Sequence, residues 1–210
     1  MLDEVIPSEF REKYKALRSD ICHLHREWGI FRRLYVSGGN TVELLNKAAS
    51  GFFRICEDLL ADDILLSISR LGEQKQTSGR DNLTLEHLVA SVDAERYADL
   101  RRELDELLLT SKNKCVFARK QRNRRIAHND LSTRLHVKSL PPPITTDVDA
   151  ALESIRALMN AIEKYFNSPV YCNDKNIAFV DYPHFLTFDA DGAQLIDWLH
   201  KADECISRNQ

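Results

Sequence analysis

The sequence predicts an all-α fold: a bundle of four long helices with short accessory helices and a small irregular or hairpin segment near the C-terminus. Only 7 glycines and 6 prolines occur among 210 residues, which is too few for a turn-rich β-sandwich. Apolar residues recur at alternating spacings of three and four over long stretches, as on one face of a helix. A chain of this length can bury its own core, so the fold needs neither a disulfide nor a structural metal.

The first two predicted helices are separated by a pair of glycines. The first covers residues 8–35, and its apolar face carries Phe10, Tyr14, Leu17, Ile21, Leu24, Trp28 and Phe31. The second begins after Gly38-Gly39, with Asn40 as its N-cap, and ends near Leu71. Because it becomes apolar on nearly all sides toward its end, we predict that it is the central helix.

The middle of the chain alternates loops with further helices. Residues 72–82 are polar and predict an exposed loop, and a short helix follows around residues 84–91. A third long helical pattern starts after Asp93 and continues beyond His128 without a proline or glycine. A single helix and two abutting helices that meet near Asn113 both fit this pattern.

The C-terminal part begins after the proline run at 141–143, which predicts a rigid linker. Residues 146–166 form the fourth long predicted helix. Beyond Pro169 the apolar spacing changes toward that of extended chain, which suggests a small hairpin before a last short helix. The chain therefore divides into a helical bundle over residues 1–166 and a C-terminal extension, 167–210, that packs on the bundle.

Charge and cysteine usage indicate the compartment. The formal charge is −3, so the whole-chain balance gives no support to nucleic-acid binding. No apolar run reaches the roughly 20 residues that a membrane helix requires, and the N-terminus lacks the pattern of a secretory signal. Five widely spaced cysteines without a Cys-x-x-Cys pair fit reduced thiols. We predict a cytoplasmic protein with no membrane partner.

One segment departs from this average. No acidic residue occurs between Glu106 and Asp130, whereas seven basic residues do: Lys112, Lys114, Arg119, Lys120, Arg122, Arg124 and Arg125. Ordinary solvated helices intersperse both signs of charge. A basic stripe that ends beside a histidine, here His128, is typical of a surface that handles phosphates.

His128 has the surroundings of a general base. On an α-helix, Arg124 and Arg125 would share its face, and their charges would lower its pKa. A neutral histidine paired with a guanidinium that stabilises a pentavalent phosphorane could cleave RNA without a metal, with the 2′-OH as nucleophile. A solvated basic face with a structural histidine is the simpler interpretation, and the residues alone leave both open.

Residues 122–130, Arg-Asn-Arg-Arg-Ile-Ala-His-Asn-Asp, resemble the signature of the HEPN superfamily. That signature is an arginine, a polar residue that is usually Asn, Asp or His, and then a histidine, with four to six residues between arginine and histidine; five intervene here. The segment Ile64-Leu65-Leu66-Ser67-Ile68-Ser69-Arg70-Leu71 and the Ala-His-x-Asp ending are similar to the AbiU-like abortive-infection branch.

The resemblance implies a homodimer in which two such motifs, one per subunit, face each other across a cleft. Family members are typically metal-independent ribonucleases that act as toxins, in phage defence or in RNA processing. Carried over by position, Arg122 would stabilise the scissile phosphate, Asn123 would orient it or position Arg122, and His128 would be the general base or acid. The RNA-binding residues around them would be Arg119, Lys120, Arg124 and Arg125.

Three points of the resemblance leave alternatives open. Several toxins carry a tyrosine two residues after the histidine, which a partner nucleotidyltransferase modifies; this chain has Asp130 there, so this route of neutralisation, and any antitoxin, is undecided. Some members are catalytically inactive and bind RNA, a nucleotide or a partner protein, which is the alternative function. Arg70 fits the family context, but it also fits a helix-end arginine paired with a carboxylate or a carbonyl.

No metal site and no cofactor are predicted. His23 and His25 are close in sequence, but on a helix they point about 200° apart and cannot bind one ion together. No segment matches a Walker loop, a Gly-rich dinucleotide loop or a nucleophile elbow.

Overall fold

A computed structural model describes residues 6–36, 38–126, 131, 135, 145–166 and 189–208. Within them the α-helices are α1 Ser8–Phe31, α2 Gly39–Leu71, α3 Leu85–Ala90, α4 Ala98–Lys114, α5 Val116–Gln121, α6 Thr145–Phe166 and α7 Asp189–Arg208. Two π-helical turns, Arg32–Val36 and Arg122–Ile126, follow α1 and α5, and a hairpin pairs strands β1 Gln76–Thr77 and β2 Arg80–Asp81. The predicted all-α fold is confirmed.

The chain forms two compact units. The described residues of 1–21 and 65–180 make up the first unit, and those of 22–64 and 181–210 the second. The predicted division after residue 166 borders a segment outside the described residues, so it stays a prediction. Among the residues that the structure describes, no helix has the length and apolar character needed to cross a membrane.

The core of the first unit forms where α4 and α6 pack along each other. The inward face of α6 is apolar at helical spacing and includes Val148, Leu152, Ile155, Met159, Ile162 and Phe166. Phe166 meets Phe10 of α1 and Tyr97 at ring-centroid distances of 5.7 Å and 5.5 Å. Burial of each such large side chain stabilises the fold by about 1.5–3 kcal/mol.

A buried carboxylate lies beside this core. Glu163 of α6 accepts a hydrogen bond from the Tyr14 hydroxyl, and Arg18 Nε lies 3.6 Å from its Oε1. A buried charge is tolerated only where it is paired, so these contacts hold the first helix against α6.

The end of α2 packs closely against the junction between α4 and α5, and Gly72 lies at the point of contact. A Cβ on Gly72, directly after α2, would lie 2.7 Å from Cys115 Cβ, so only glycine allows this approach. Cys115, itself 2% exposed, separates α4 from α5. The interruption is therefore at Cys115 rather than at the predicted Asn113, because packing against Gly72 decides where the helix breaks.

The region after Gly72 is more ordered than the predicted loop. Strands β1 and β2 pair antiparallel, with Gln76 opposite Asp81 and Thr77 opposite Arg80. Ser78 and Gly79 both have positive φ, 50° and 76°, as a two-residue hairpin turn of the primed type requires. The predicted C-terminal hairpin, by contrast, falls outside the described residues.

The second unit has its own apolar cluster, formed by Leu34, Leu44, Leu45, Phe53 and Ile196. The first π-helical turn contacts α7, and the Tyr35 hydroxyl donates to the Phe53 carbonyl at 3.0 Å. Inside α2, Ala49 takes extended backbone angles (φ −166°, ψ 73°), which kinks the helix. The sequence pattern predicted neither this kink nor the π-helical end of the first helix.

Candidate functional site

The candidate site starts at the second π-helical turn, Arg122–Ile126, which continues α5. It contains four of the seven predicted site residues: Arg122, Asn123, Arg124 and Arg125. π-Helical turns are rare and occur frequently at functional sites. The shared face of Arg124, Arg125 and His128 was predicted for continuous α-helix, which this turn replaces; His128 itself lies outside the described residues.

Arg122 is held by two neighbours. Its Nη1 lies 2.6 Å from Glu73 Oε1, and its Nε donates to Asn123 Oδ1 at 3.0 Å. Both side chains of the ion pair are largely buried, with 26% and 21% of their surface exposed. The guanidinium of Arg122 is therefore fixed in orientation by Glu73 and Asn123.

Glu73 also faces a second guanidinium. Arg119 Nε lies 3.6 Å from Glu73 Oε1, and Arg119 Nη2 donates to the Gly72 carbonyl at 3.0 Å. The structure shows that the head group of Arg119 ties α5 to the end of α2; its predicted role in RNA binding stays a prediction. One carboxylate thus joins two of the predicted site arginines.

The other predicted RNA-binding residues lie further out. Lys120 and Arg124 are exposed, and Arg125 Nε donates to Gln121 Oε1 at 3.4 Å. Lys112, from the same acid-free segment, is paired with Glu86 of α3. The segment is therefore less basic in space than in sequence, since carboxylates from distant positions approach three of its cations.

Sequence reasoning did not find Glu73. It lies in the predicted exposed loop 72–82, and no spacing pattern links it to the basic segment. Its position just after the α2 C-terminus is the only signal, and that position gains meaning once Gly72 packs against Cys115. Arg70, whose role the sequence left open, is exposed in the last turn of α2.

The nearby thiol is not a nucleophile. Burial raises the pKa of Cys115 to about 12, against a smaller lowering by the Arg119 charge. Since the thiolate is the reactive form of cysteine, Cys115 stays an inert packing group. The described polar groups of the site are therefore its guanidiniums and the Asn123 amide.

These features define a class of protein. It is a helical bundle in which an arginine and the asparagine that follows it are the first residues of a basic motif, within a π-helical turn. The sequence model of the AbiU2 family of HEPN domains matches residues 7–190, so the chain belongs to that HEPN family. The resemblance drawn from residues 122–130 and 64–71 is confirmed. Comparisons with curated proteins and with solved structures gave no match.

Proposed function

We propose that this protein is a metal-independent endoribonuclease that acts in phage defence by abortive infection, or as the toxin of a toxin–antitoxin pair. Membership of the HEPN AbiU2 family supports a HEPN module. The observation that carries the nuclease proposal is the oriented Arg122 guanidinium at the start of the Arg-Asn-x₄-His motif. The basic residues around it would attract an RNA backbone.

In the proposed reaction the 2′-OH of RNA attacks the adjacent phosphorus. His128 accepts the hydroxyl proton, and Arg122 stabilises the charge of the pentavalent phosphorane. The P–O5′ bond breaks, which leaves a 2′,3′-cyclic phosphate, and the departing O5′ takes a proton from water to become a 5′-hydroxyl. His128 then returns the proton it accepted to the solvent. A guanidinium carries five N–H donors, so Arg122 can bind a phosphate oxygen while it keeps its contacts to Glu73 and Asn123.

The active form in this proposal is a homodimer. One motif per chain supplies one histidine and one arginine, and a two-fold axis would bring a second set to the same cleft. Self-association needs an apolar surface, and α2 offers Phe52, Ile55 and Leu59 at helical spacing, each at least 60% exposed. Further partners in this proposal are the RNA substrate and an antitoxin or nucleotidyltransferase.

The direct test is RNA cleavage in EDTA by the purified protein. We expect structured or single-stranded RNA to be cut with 2′,3′-cyclic phosphate ends. His128→Ala should lower the rate about 10²–10⁴-fold, the usual contribution of a general acid or base. Lys164→Ala, which removes an exposed charge of α6 outside the basic segment, is the control and should keep its activity. Equal activity of wild type and His128→Ala would refute the assignment.

The second candidate is a catalytically inactive HEPN module that binds RNA, a nucleotide or a partner protein. The ion pair of Arg122 with Glu73 favours it, because a guanidinium neutralised by a carboxylate is less available to a phosphate. The same experiment separates the two functions: a folded protein that binds RNA but cleaves none of the tested substrates would be this module.

A further inference from the structure

A histidine and two carboxylates of the second unit converge between α1 and α2. His23 and Glu27 lie one turn apart on α1, and Asp63 lies on α2. One ligand atom from each falls within 4.8 Å of the others, and His23 Nε2 is 3.0 Å from Glu27 Oε1. These three residues are named here the His-Glu-Asp cluster, in which only Asp63 comes from a distant part of the sequence.

Glu27 is the unusual member of the cluster. It is 9% exposed, and its buried Oε2 has no hydrogen bond from an N–H group or a hydroxyl among the described residues. The hydrogen-bonding neighbour of Glu27 on α2 is another carboxyl group, that of Asp63. A buried carboxylate oxygen without a partner is costly unless a proton or a cation compensates it. This oxygen therefore points to a missing positive group beside Asp63.

The electrostatics of the cluster agree with this reasoning. Burial, followed by the hydrogen bond and charge of Asp63, raises the pKa of Glu27 to about 7, although His23 acts in the opposite direction. Two carboxylates that cannot both ionise comfortably are the arrangement that a bound divalent cation relieves.

We propose that His23, Glu27 and Asp63 bind one divalent transition-metal ion, with Zn²⁺ as the best match to the donor set. Imidazole suits Zn²⁺, and carboxylates complete such sites. Bonds of about 2.0–2.2 Å place tetrahedral neighbours roughly 3.3 Å apart, so small side-chain rotations close the observed spacing. His23, 64% exposed, gives the ion a path from solvent, and a water completes the coordination.

The proposed site differs from the sequence-based expectation of no metal, which stays a prediction until the titration below is done. That expectation considered His23 only with His25, and these two do point apart on α1. The partners of His23 are instead Glu27, four residues further along the same helix, and Asp63 of α2. The ion would link α1 to α2 and stabilise the folded chain, since it binds a site that the unfolded chain lacks.

The test is calorimetric titration of the full chain with Zn²⁺ at pH 8, after treatment with EDTA and removal of the chelator. We expect one ion per chain and at least a tenfold loss of affinity in His23→Gln and Asp63→Asn. The matched controls are His25→Gln, two residues away, and Asp58→Asn, an exposed carboxylate of α2. Both should bind Zn²⁺ as the wild type does.

Two further measurements test whether the three named side chains are the ligands of the ion. Zn²⁺ should raise the thermal unfolding midpoint of the wild type but not that of Glu27→Gln, which keeps the shape of the side chain. Co²⁺ should give the visible spectrum of nitrogen and oxygen ligation. A thiolate charge-transfer band, no binding by the wild type, or unchanged affinity in His23→Gln would each overturn the site. RNA cleavage in EDTA is independent of all of these outcomes.

Discussion

At the scale of single residues, the environment of Arg122 depends on Glu73. The carboxylate contacts both Arg122 and Arg119. It therefore orients one guanidinium and lowers the positive electrostatic potential around both. In the proposed nuclease Glu73 would therefore be a positioning residue, and its charge would limit how strongly the basic segment attracts RNA.

We expect Glu73→Gln to bind RNA several-fold more tightly than the wild type, with a steeper dependence of affinity on salt. The physical reason is that two guanidiniums lose the carboxylate paired with them. They can then neutralise more RNA phosphates, and more of the counterions held by the RNA are released on binding. Loss of the partly buried ion pair should lower stability by about 1 kcal/mol. Fluorescence anisotropy at several salt concentrations and thermal unfolding measure both effects.

The control for this prediction is Glu103→Gln, which removes an exposed charge from α4 and should leave RNA affinity nearly unchanged. If Glu73→Gln bound RNA no better than Glu103→Gln, Glu73 would not limit the availability of the arginines. Unchanged binding with a lower cleavage rate would assign Glu73 to orientation alone.

The sequence alone predicted those contacts of the candidate site that join neighbours along the chain. Arg122 and Asn123 are neighbours in the motif, and the structure joins them by a hydrogen bond. Glu73, Glu86 and the place of Asp63 beside Glu27 were missed because these contacts cross long stretches of chain; Arg119 and Gly72, for example, are 47 residues apart. Such contacts depend on how helices pack, which a periodic pattern does not specify.

At the scale of elements, the apolar spacing predicted α1, α2 and α6 to within a few residues, because each must bury one face. The last helix, predicted as short, is 20 residues long, Asp189–Arg208, and the third helical pattern is divided into α4, α5 and a π-helical turn. The apolar spacing could not predict where a helix changes its winding, since the kink at Ala49 and both π-helical turns come from local packing. The hairpin at 76–81 differs from these features, because the Ser78-Gly79 pair is a turn signal that can be recognised in the sequence. The polar composition of residues 72–82 led instead to the prediction of an exposed loop.

The close approach of α2 to the α4–α5 junction gives a prediction at this scale. Gly72→Ala should destabilise the protein by about 1–3 kcal/mol, because the new Cβ would overlap Cys115 and force the junction apart. Since Arg119 donates to the Gly72 carbonyl, the site should be disturbed as well. Urea unfolding measures the stability change.

Gly51→Ala is the matched control, because a Cβ there meets no atom within 4 Å. Alanine in a helix interior is favoured over glycine by about 0.5–1 kcal/mol, so this variant should be as stable as the wild type or more so. Equal effects of the two substitutions would show that Gly72 has no special packing role.

At the scale of the whole molecule, the net charge of −3 does not show how the charges are distributed along the chain and in space. Seven of its 29 lysines and arginines lie between 112 and 125, and part of that cluster is compensated by carboxylates from elsewhere in the chain. Composition predicted the fold class because helix formation is local, whereas it contains no information on how the charges are arranged in space.

The proposed dimer is tested by sedimentation velocity at micromolar concentration, where we expect the wild type to be a dimer. Leu59→Glu should shift it toward monomer, because a charge would enter the apolar stripe formed with Phe52 and Ile55. Leu59 is 66% exposed, so the fold of the single chain should persist. Leu109→Glu, at a similarly exposed leucine of α4, should remain dimeric; a monomeric wild type would contradict the dimer.

The π-helical turn at Arg122–Ile126 bears on how such a motif can vary among relatives. A π-helix bonds each residue to the fifth along the chain instead of the fourth, so it accommodates one more residue per turn. A segment that winds either way can gain or lose a residue while its ends keep their places. The spacing between arginine and histidine can then drift in evolution, provided that the helix rewinds to compensate.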